Sequence, residues 1–183
     1  MLNIFINPGH DMDLDPGACS NGLREVDVAL DIGNRLKKTM EVIGYPCTLI
    51  QSDNLNGETS SKPNVCATAN SGGYDIFVSI HCNSAANNSA NGTETLVYGL
   101  TCGNSVILAN CIQKQIVQSL SMTDRGIKER PDLCVLRETN MPAVLVETAF
   151  ISNEKDAFKL ANRVQEFADA IARGITDYEQ KIM

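Results

Sequence analysis

Apolar and polar residues change period along this chain, from short apolar runs of strand length to longer stretches with an apolar residue every three or four positions. Residues 3–7 read as a first strand, broken by Pro8-Gly9. Over 24–43 the apolar Ala29, Ile32, Leu36, Met40 and Ile43 keep helical spacing, and Gly44 supplies a stop. Residues 47–50 predict a second strand. Residues 64–70 predict a short helix closed by Gly72-Gly73, and 75–80 a third strand whose apolar centre marks burial on both faces. Residues 52–62 and 83–92 are polar and read as loops, and 95–98 as a strand. A helix follows over 104–121, with Ala109, Ile112, Ile116 and Leu120 on one face. Residues 125–131 read as a charged loop, 133–136 as a short strand and 143–146 as the last central strand. Ser152-Asn153 caps a helix opening at Glu154, and the spacing stays helical from Phe158 to Tyr178, with Gly174 as a local weak point. Strands alternating with helices define the α/β class.

The bulk numbers narrow the function. A chain of 183 residues with 43% hydrophobic and 20% charged content is expected to fold as one globular domain over 1–183. A net charge of -7 argues against nonspecific nucleic-acid binding and against a polybasic membrane anchor. No apolar stretch approaches the roughly 20 residues of a membrane span. Met1-Leu2-Asn3-Ile4 runs straight into a strand, so no signal peptide is visible and synthesis in the cytoplasm is expected. The 7 cysteines are odd in number and form no Cys-x-x-Cys pair. Neither a disulfide framework nor a Cys-type zinc site is indicated, and reduced, mostly buried thiols are expected. Cys82 has a second reading as nucleophile or ligand, but strand alternation turns it away from His81.

The chain has 2 histidines, His10 and His81, and each follows a predicted strand; Glu147 follows a third. In an open α/β sheet, ligands and chemistry collect at the carboxyl ends of strands. Imidazole and carboxylate together point to zinc. Asp15 fits either an Asx-turn or a partner that fixes the His10 tautomer. Glu25 opens the first long helix, where the helix dipole alone explains a carboxylate. Glu147 ends an apolar run, where a carboxylate is costly unless paired or metal-linked, and where burial suits it to proton transfer. Two His and one Glu leave a fourth position for water, and a further Glu is then needed to move protons. Strand ends alone would group Glu147 with the histidines as the third ligand. Arg125, Lys128 and Arg130 read equally as a solvated loop or as a basic rim for substrate carboxylates. The chain lacks a His-Glu-x-x-His helix, a Gly-x-Gly-x-x-Gly turn and a phosphate loop.

Four segments, in order, resemble the zinc-dependent N-acetylmuramoyl-L-alanine amidases of bacterial and phage wall lysis. They are Asn7-Pro8-Gly9-His10 with Asp15-Pro16-Gly17-Ala18, then Leu23-Arg24-Glu25-Val26-Asp27, then Phe77-Val78-Ser79-Ile80-His81-Cys82-Asn83, and finally the run from Arg137 to Asn153. The resemblance implies that His10, Glu25 and His81 bind one zinc ion and that Glu147 is the catalytic acid/base. It implies a mixed, mostly parallel central sheet of about six strands flanked by helices on both faces, like that of zinc exopeptidases. It also implies hydrolysis of the amide between N-acetylmuramic acid and L-alanine. The expected partner is peptidoglycan, reached after release or export, with the chain a monomer that takes neither nucleic acid nor membrane. Asp11-Met12 replace the Gly-Gly frequent after the first His, Val65-Cys66 stand where Arg is frequent, and Cys82 replaces Ala. The rival readings are a zinc exopeptidase or carboxypeptidase, and a non-catalytic wall-binding domain of the same fold.

Overall fold

The computed structural model describes residues 1–183. In chain order the elements are β1 (Ile4–Pro8), a small hairpin of β2 (Cys19–Ser20) and β3 (Leu23–Arg24), α1 (Glu25–Val42), β4 (Cys47–Leu49) and α2 (Val65–Ser71). There follow β5 (Ile76–Asn83), β6 (Thr93–Val97), α3 (Gly103–Leu120), β7 (Asp124–Glu129), α4 (Cys134–Arg137), β8 (Ala143–Phe150), α5 (Glu154–Asn162) and α6 (Val164–Ile182). Six strands make one sheet in the order β4-β1-β5-β8-β6-β7. The pairs β4·β1, β1·β5 and β5·β8 are parallel, β8·β6 is antiparallel and β6·β7 is parallel. The sheet is therefore mixed and mostly parallel, as expected.

Helices cover both faces, as buried parallel strands require. On one face the apolar stripes of α1 (Ala29, Ile32, Leu36, Met40), α3 (Leu108, Ile112, Ile116) and α6 (Phe167, Ile171, Ile175) meet Ile4, Ile6, Val78 and Val144. On the other, a smaller cluster joins Phe5, Phe77, Leu96 and Leu145 to Val65 and Cys66 of α2 and Val135 and Leu136 of α4. The second layer covers less of the sheet and leaves room for a site.

Several elements differ from the sequence reading. Residues 125–131 are not a loop: most of them belong to β7, the outermost strand, where charged side chains stay in water while the backbone pairs with β6. Residues 133–136 do not form a strand. They lie in and before the helical turn α4, which drops Val135 and Leu136 onto Phe5 and Phe77. A four-residue apolar run carries too little periodicity to distinguish the two. The C-terminal helix is broken at Arg163, whose backbone (φ -127°, ψ 30°) separates α5 from α6. The third and last central strands extend past Ile80 and Val146, so His81 and Glu147 lie inside paired strand rather than beyond it. The capping of α5 by Asn153 is as expected, its side chain accepting from the N–H groups of Lys155 and Asp156. No helix is long and apolar enough to cross a membrane.

Gly174 is not a weak point but a packing requirement. A Cβ there would lie 2.5 Å from Cα of Ile112, so its absence sets how closely α6 approaches α3. Replacing a solvated mid-helix Gly by Ala gains about 1 kcal/mol. Here Gly174→Ala is expected to lower stability by about 1–3 kcal/mol through overpacking. Urea denaturation checks this, and an unchanged or raised midpoint contradicts it.

Candidate metal centre

The centre is assembled from four local decisions of the backbone. β1 ends at Pro8, and His10 then takes a left-handed conformation (φ 67°), costly for a residue with a side chain and held by its surroundings. Asp11 holds the next turn. It exchanges backbone hydrogen bonds with Asp15, and its Oδ1 accepts from the N–H groups of Asp13 and Leu14 and from Lys62. Both readings of Asp15 are realised at once: Oδ1 accepts from the Gly17 N–H, 3.0 Å away, and Oδ2 lies 2.7 Å from Nδ1 of His10. That contact turns Nε2 of His10 toward Glu25. Gly17 (φ 65°) brings the loop back over the imidazole, and a Cβ on it would sit 2.6 Å from Cδ2 of His10 and 2.7 Å from Oε2 of Glu25.

Glu25 is the first residue of α1, where the helix dipole favours a carboxylate. It is buried, 5% exposed, and both its oxygens are hydrogen-bonded. Oε2 accepts from the Ala18 N–H at 2.9 Å. Oε1 accepts from the Cys82 N–H at 2.9 Å and lies 3.0 Å from both Nε2 of His10 and Nδ1 of His81. One ligand atom from each of His10, Glu25 and His81 falls within 4.8 Å of the others. All four residues singled out in the sequence converge, for Glu147 stands opposite His81 in the β5·β8 register.

The electrostatics favour a cation. Burial works against a charge on His10, but the carboxylates of Glu25 and Asp15 outweigh it and push the imidazole up to about 9. Burial likewise opposes ionisation of Glu25, yet the hydrogen bonds from His10 and His81 hold its carboxyl below the ordinary range. The second carboxylate is treated differently. Burial, with Glu25 and Glu94 nearby, pushes Glu147 up to about 7. Its Oε2 is shielded from solvent and has no hydrogen-bond partner. A buried polar atom without a partner is rare and marks a place where something else binds or reacts. Imidazole nitrogen and carboxylate oxygen donors, an acidic surround and an unpartnered carboxylate fit a zinc ion with an open position.

A cavity of about 180 Å³ opens on His10, His81 and Asp15, with Leu55, Leu133, Val135 and Leu145 as its apolar walls. A larger polar cleft of about 700 Å³, between Asn88, Ser121, Ser152 and Lys159, includes none of the three converging residues. Cys82 is no nucleophile here: it is buried, its Sγ rests 3.5 Å from Oγ1 of Thr148, and burial pushes its thiol up. All seven cysteines are unpaired. Of the basic residues considered as a rim, Arg130 is tied to Asp132 and Lys128 lies on the outer strand, whereas Arg125 reaches the row that contains Glu147. Sequence reading missed Glu94, which stands opposite Glu147 on β6. Its signal was the alternation with Leu96 on one face of a strand.

A family model described as N-acetylmuramoyl-L-alanine amidase matches residues 4–177. The chain belongs to this family. It is 40% identical over 176 residues to the N-acetylmuramoyl-L-alanine amidase LytC of Bacillus subtilis (strain 168), covering 95% of this chain and 34% of that protein. It thus spans about a third of that relative's length. The solved amidase AmiC2 of Nostoc punctiforme superposes with a TM-score of 0.83 at 33% identity, over 98% of this chain and 97% of that one. The amidase from Clostridium difficile 630 superposes with a TM-score of 0.83 at 30% identity, with the same coverage.

Asp15→Ala is expected to weaken binding of a divalent transition metal about 10- to 100-fold, because Asp15 fixes the His10 ring. Competition with a chelator measures this. Because His10 is protonated below about 9 in the metal-free chain, metal affinity is expected to fall as pH drops from that value. Affinity that is independent of pH would contradict the site.

Proposed function

We propose that this chain is a zinc-dependent N-acetylmuramoyl-L-alanine amidase. It hydrolyses the amide joining the lactyl group of N-acetylmuramic acid to L-alanine of peptidoglycan stem peptides. The observation that carries the reading is the unpartnered Oε2 of Glu147, held beside two imidazoles and a satisfied carboxylate in a chain of the amidase family. His10, through Nε2, together with Glu25 and His81, holds the zinc. When bound, the ion supplies a Lewis acid for the amide carbonyl and acidifies water.

Glu147 takes a proton from the attacking water and passes it to the nitrogen of the departing alanine. Burial pushes this carboxyl up to about 7 in the metal-free chain, toward the range in which a carboxyl both accepts and returns a proton near neutral pH. Asp15 keeps the His10 ring in one tautomer and orientation. The apolar walls around Leu55 and Val135 exclude water from one side of the scissile bond. The chain acts on the wall, as a monomer, after release or export.

Glu147→Gln is expected to retain zinc and to lose roughly 10²–10⁴-fold in kcat. Zinc analysis and turnover on purified cell wall check the two halves separately; near-normal turnover would remove Glu147 from its role. The base form of Glu147 disappears as pH falls through its pKa, so turnover of zinc-loaded protein drops on the acid side. A bound cation lowers that pKa, which places the acid limb at or below about 7. Mass spectrometry is expected to find stem peptides with free N-terminal alanine. Trimming from peptide C-termini would favour the exopeptidase reading, and zinc binding without turnover a wall-binding role.

A further inference from the structure

A single row of side chains crosses the sheet face beside the centre. His81 on β5 pairs with Glu147 on β8, and Glu147 pairs with Glu94 on β6. On β7 the register slips between the pairs Thr93–Asp124 and Thr95–Ile127, leaving Arg125 and Gly126 opposite Glu94. Gly126 takes a left-handed conformation (φ 76°), which permits this bulge. Bulges beside active sites commonly re-aim a side chain, and this one aims Arg125 along the row. Its Nε donates to Oε2 of Glu94 at 2.8 Å, and Asn83 holds the other oxygen of Glu94 at 3.0 Å. The guanidinium carbon lies 4.8 Å from the centre of the buried Phe150 ring.

Arg125 is thus held on two sides, and its outer edge is free. Neither Nη1 nor Nη2 meets a protein acceptor. Every other arginine has at least one of its Nη atoms bonded within the chain: Arg24, Arg35, Arg130, Arg137, Arg163 and Arg173. The Arg125 side chain is 38% exposed, so the free edge is within reach of a ligand. A planar guanidinium fork with both Nη atoms open matches a carboxylate. From β8 to β7 is two inter-strand steps, about 10 Å. An extended peptide advances about 3.3–3.6 Å per residue. A substrate whose scissile amide lies at Glu147 therefore brings its second or third residue to Arg125.

We propose that Arg125 is a substrate-specificity residue that binds a free carboxylate on the second or third residue of the stem peptide. The proposal rests on the amidase reading above. The enzyme accordingly prefers stem peptides with free carboxylates to those in which the same groups are amidated. The neighbouring Glu94 does not bind substrate; it fixes the guanidinium, and Phe150 sets its plane.

The test uses the zinc-loaded full chain and two synthetic muramyl tripeptides that begin with L-alanine. They differ only in whether the carboxyl groups of the second and third residues are free or amidated. For the wild type, kcat/KM is expected to favour the free-carboxylate compound by about 10- to 100-fold, the effect of losing a charge-assisted bond. Arg125→Ala is expected to erase this preference by raising KM for the free-carboxylate compound, and a thermal-unfolding midpoint close to that of the wild type shows that the variant is folded. Arg125→Lys keeps the charge without the fork and is expected to fall between. Equal loss on both compounds, or no preference in the wild type, overturns the assignment. If the wild type cleaves neither compound at the N-acetylmuramoyl–alanine amide, the amidase reading itself fails, and this inference with it.

Discussion

A buried carboxylate shared by two imidazoles is the interaction on which the rest of this site depends. Glu25 sits at the start of α1 with both oxygens occupied, and one of them touches His10 and His81 at the same distance. Burying a charge is costly unless it is paired and hydrogen-bonded. The cost is offset by two backbone N–H groups, the end of a helix and two rings. Each partner comes from a different part of the chain. The Ala18 N–H requires the loop that Gly17 folds back, the Cys82 N–H requires β5 to run past Ile80, and His10 requires its left-handed backbone. Loss of any one of these would leave the buried charge less fully compensated.

The two glutamates next to the histidines stand in different surroundings, and the proposed division of labour rests on that difference. Glu25 is buried, but hydrogen bonds from His10, His81 and the Ala18 N–H outweigh that burial, so its carboxyl is held ionised and suited to a positive ion. Glu147 is buried, receives no donor at Oε2 and has two further carboxylates nearby, so its carboxyl is pushed toward neutrality and suited to carrying a proton. Strand pairing keeps these environments apart but close. From His81 to Glu147 to Glu94 the sheet register sets the sequence of groups, and the bulge at Gly126 brings Arg125 into line.

Much of this was legible in the sequence. The scarcity of histidine forced both into any two-His site, and the apolar runs ahead of His81 and Glu147 located two strands. The helical spacing of Ala29, Ile32, Leu36 and Met40 placed Glu25 on a first turn. What the pattern concealed was register. Strand ends alone grouped Glu147 with the histidines, because hydrophobicity marks where apolar residues stop and not where backbone pairing stops. β5 and β8 continue through His81 and Glu147 with polar residues on the open face. β7 was hidden for a related reason: an outermost strand buries little, so Lys128 and Glu129 look like loop residues although their backbone pairs with β6, and Arg125 falls in the bulge between paired positions. The helical turn at Val135 and Leu136 was read as strand because four residues hold no resolvable period. Gly174 looked like a flaw until its contact with Ile112 placed it between two helices.

The division between Glu25 as ligand and Glu147 as proton carrier is the central claim, and a crystal structure of the zinc-loaded protein tests it most directly. The expected result is an anomalous zinc peak about 2.0–2.2 Å from Nε2 of His10, Nδ1 of His81 and a carboxylate oxygen of Glu25, with Glu147 outside coordinating distance. Zinc held by Glu147 in place of Glu25, or by cysteine sulfur, would contradict it.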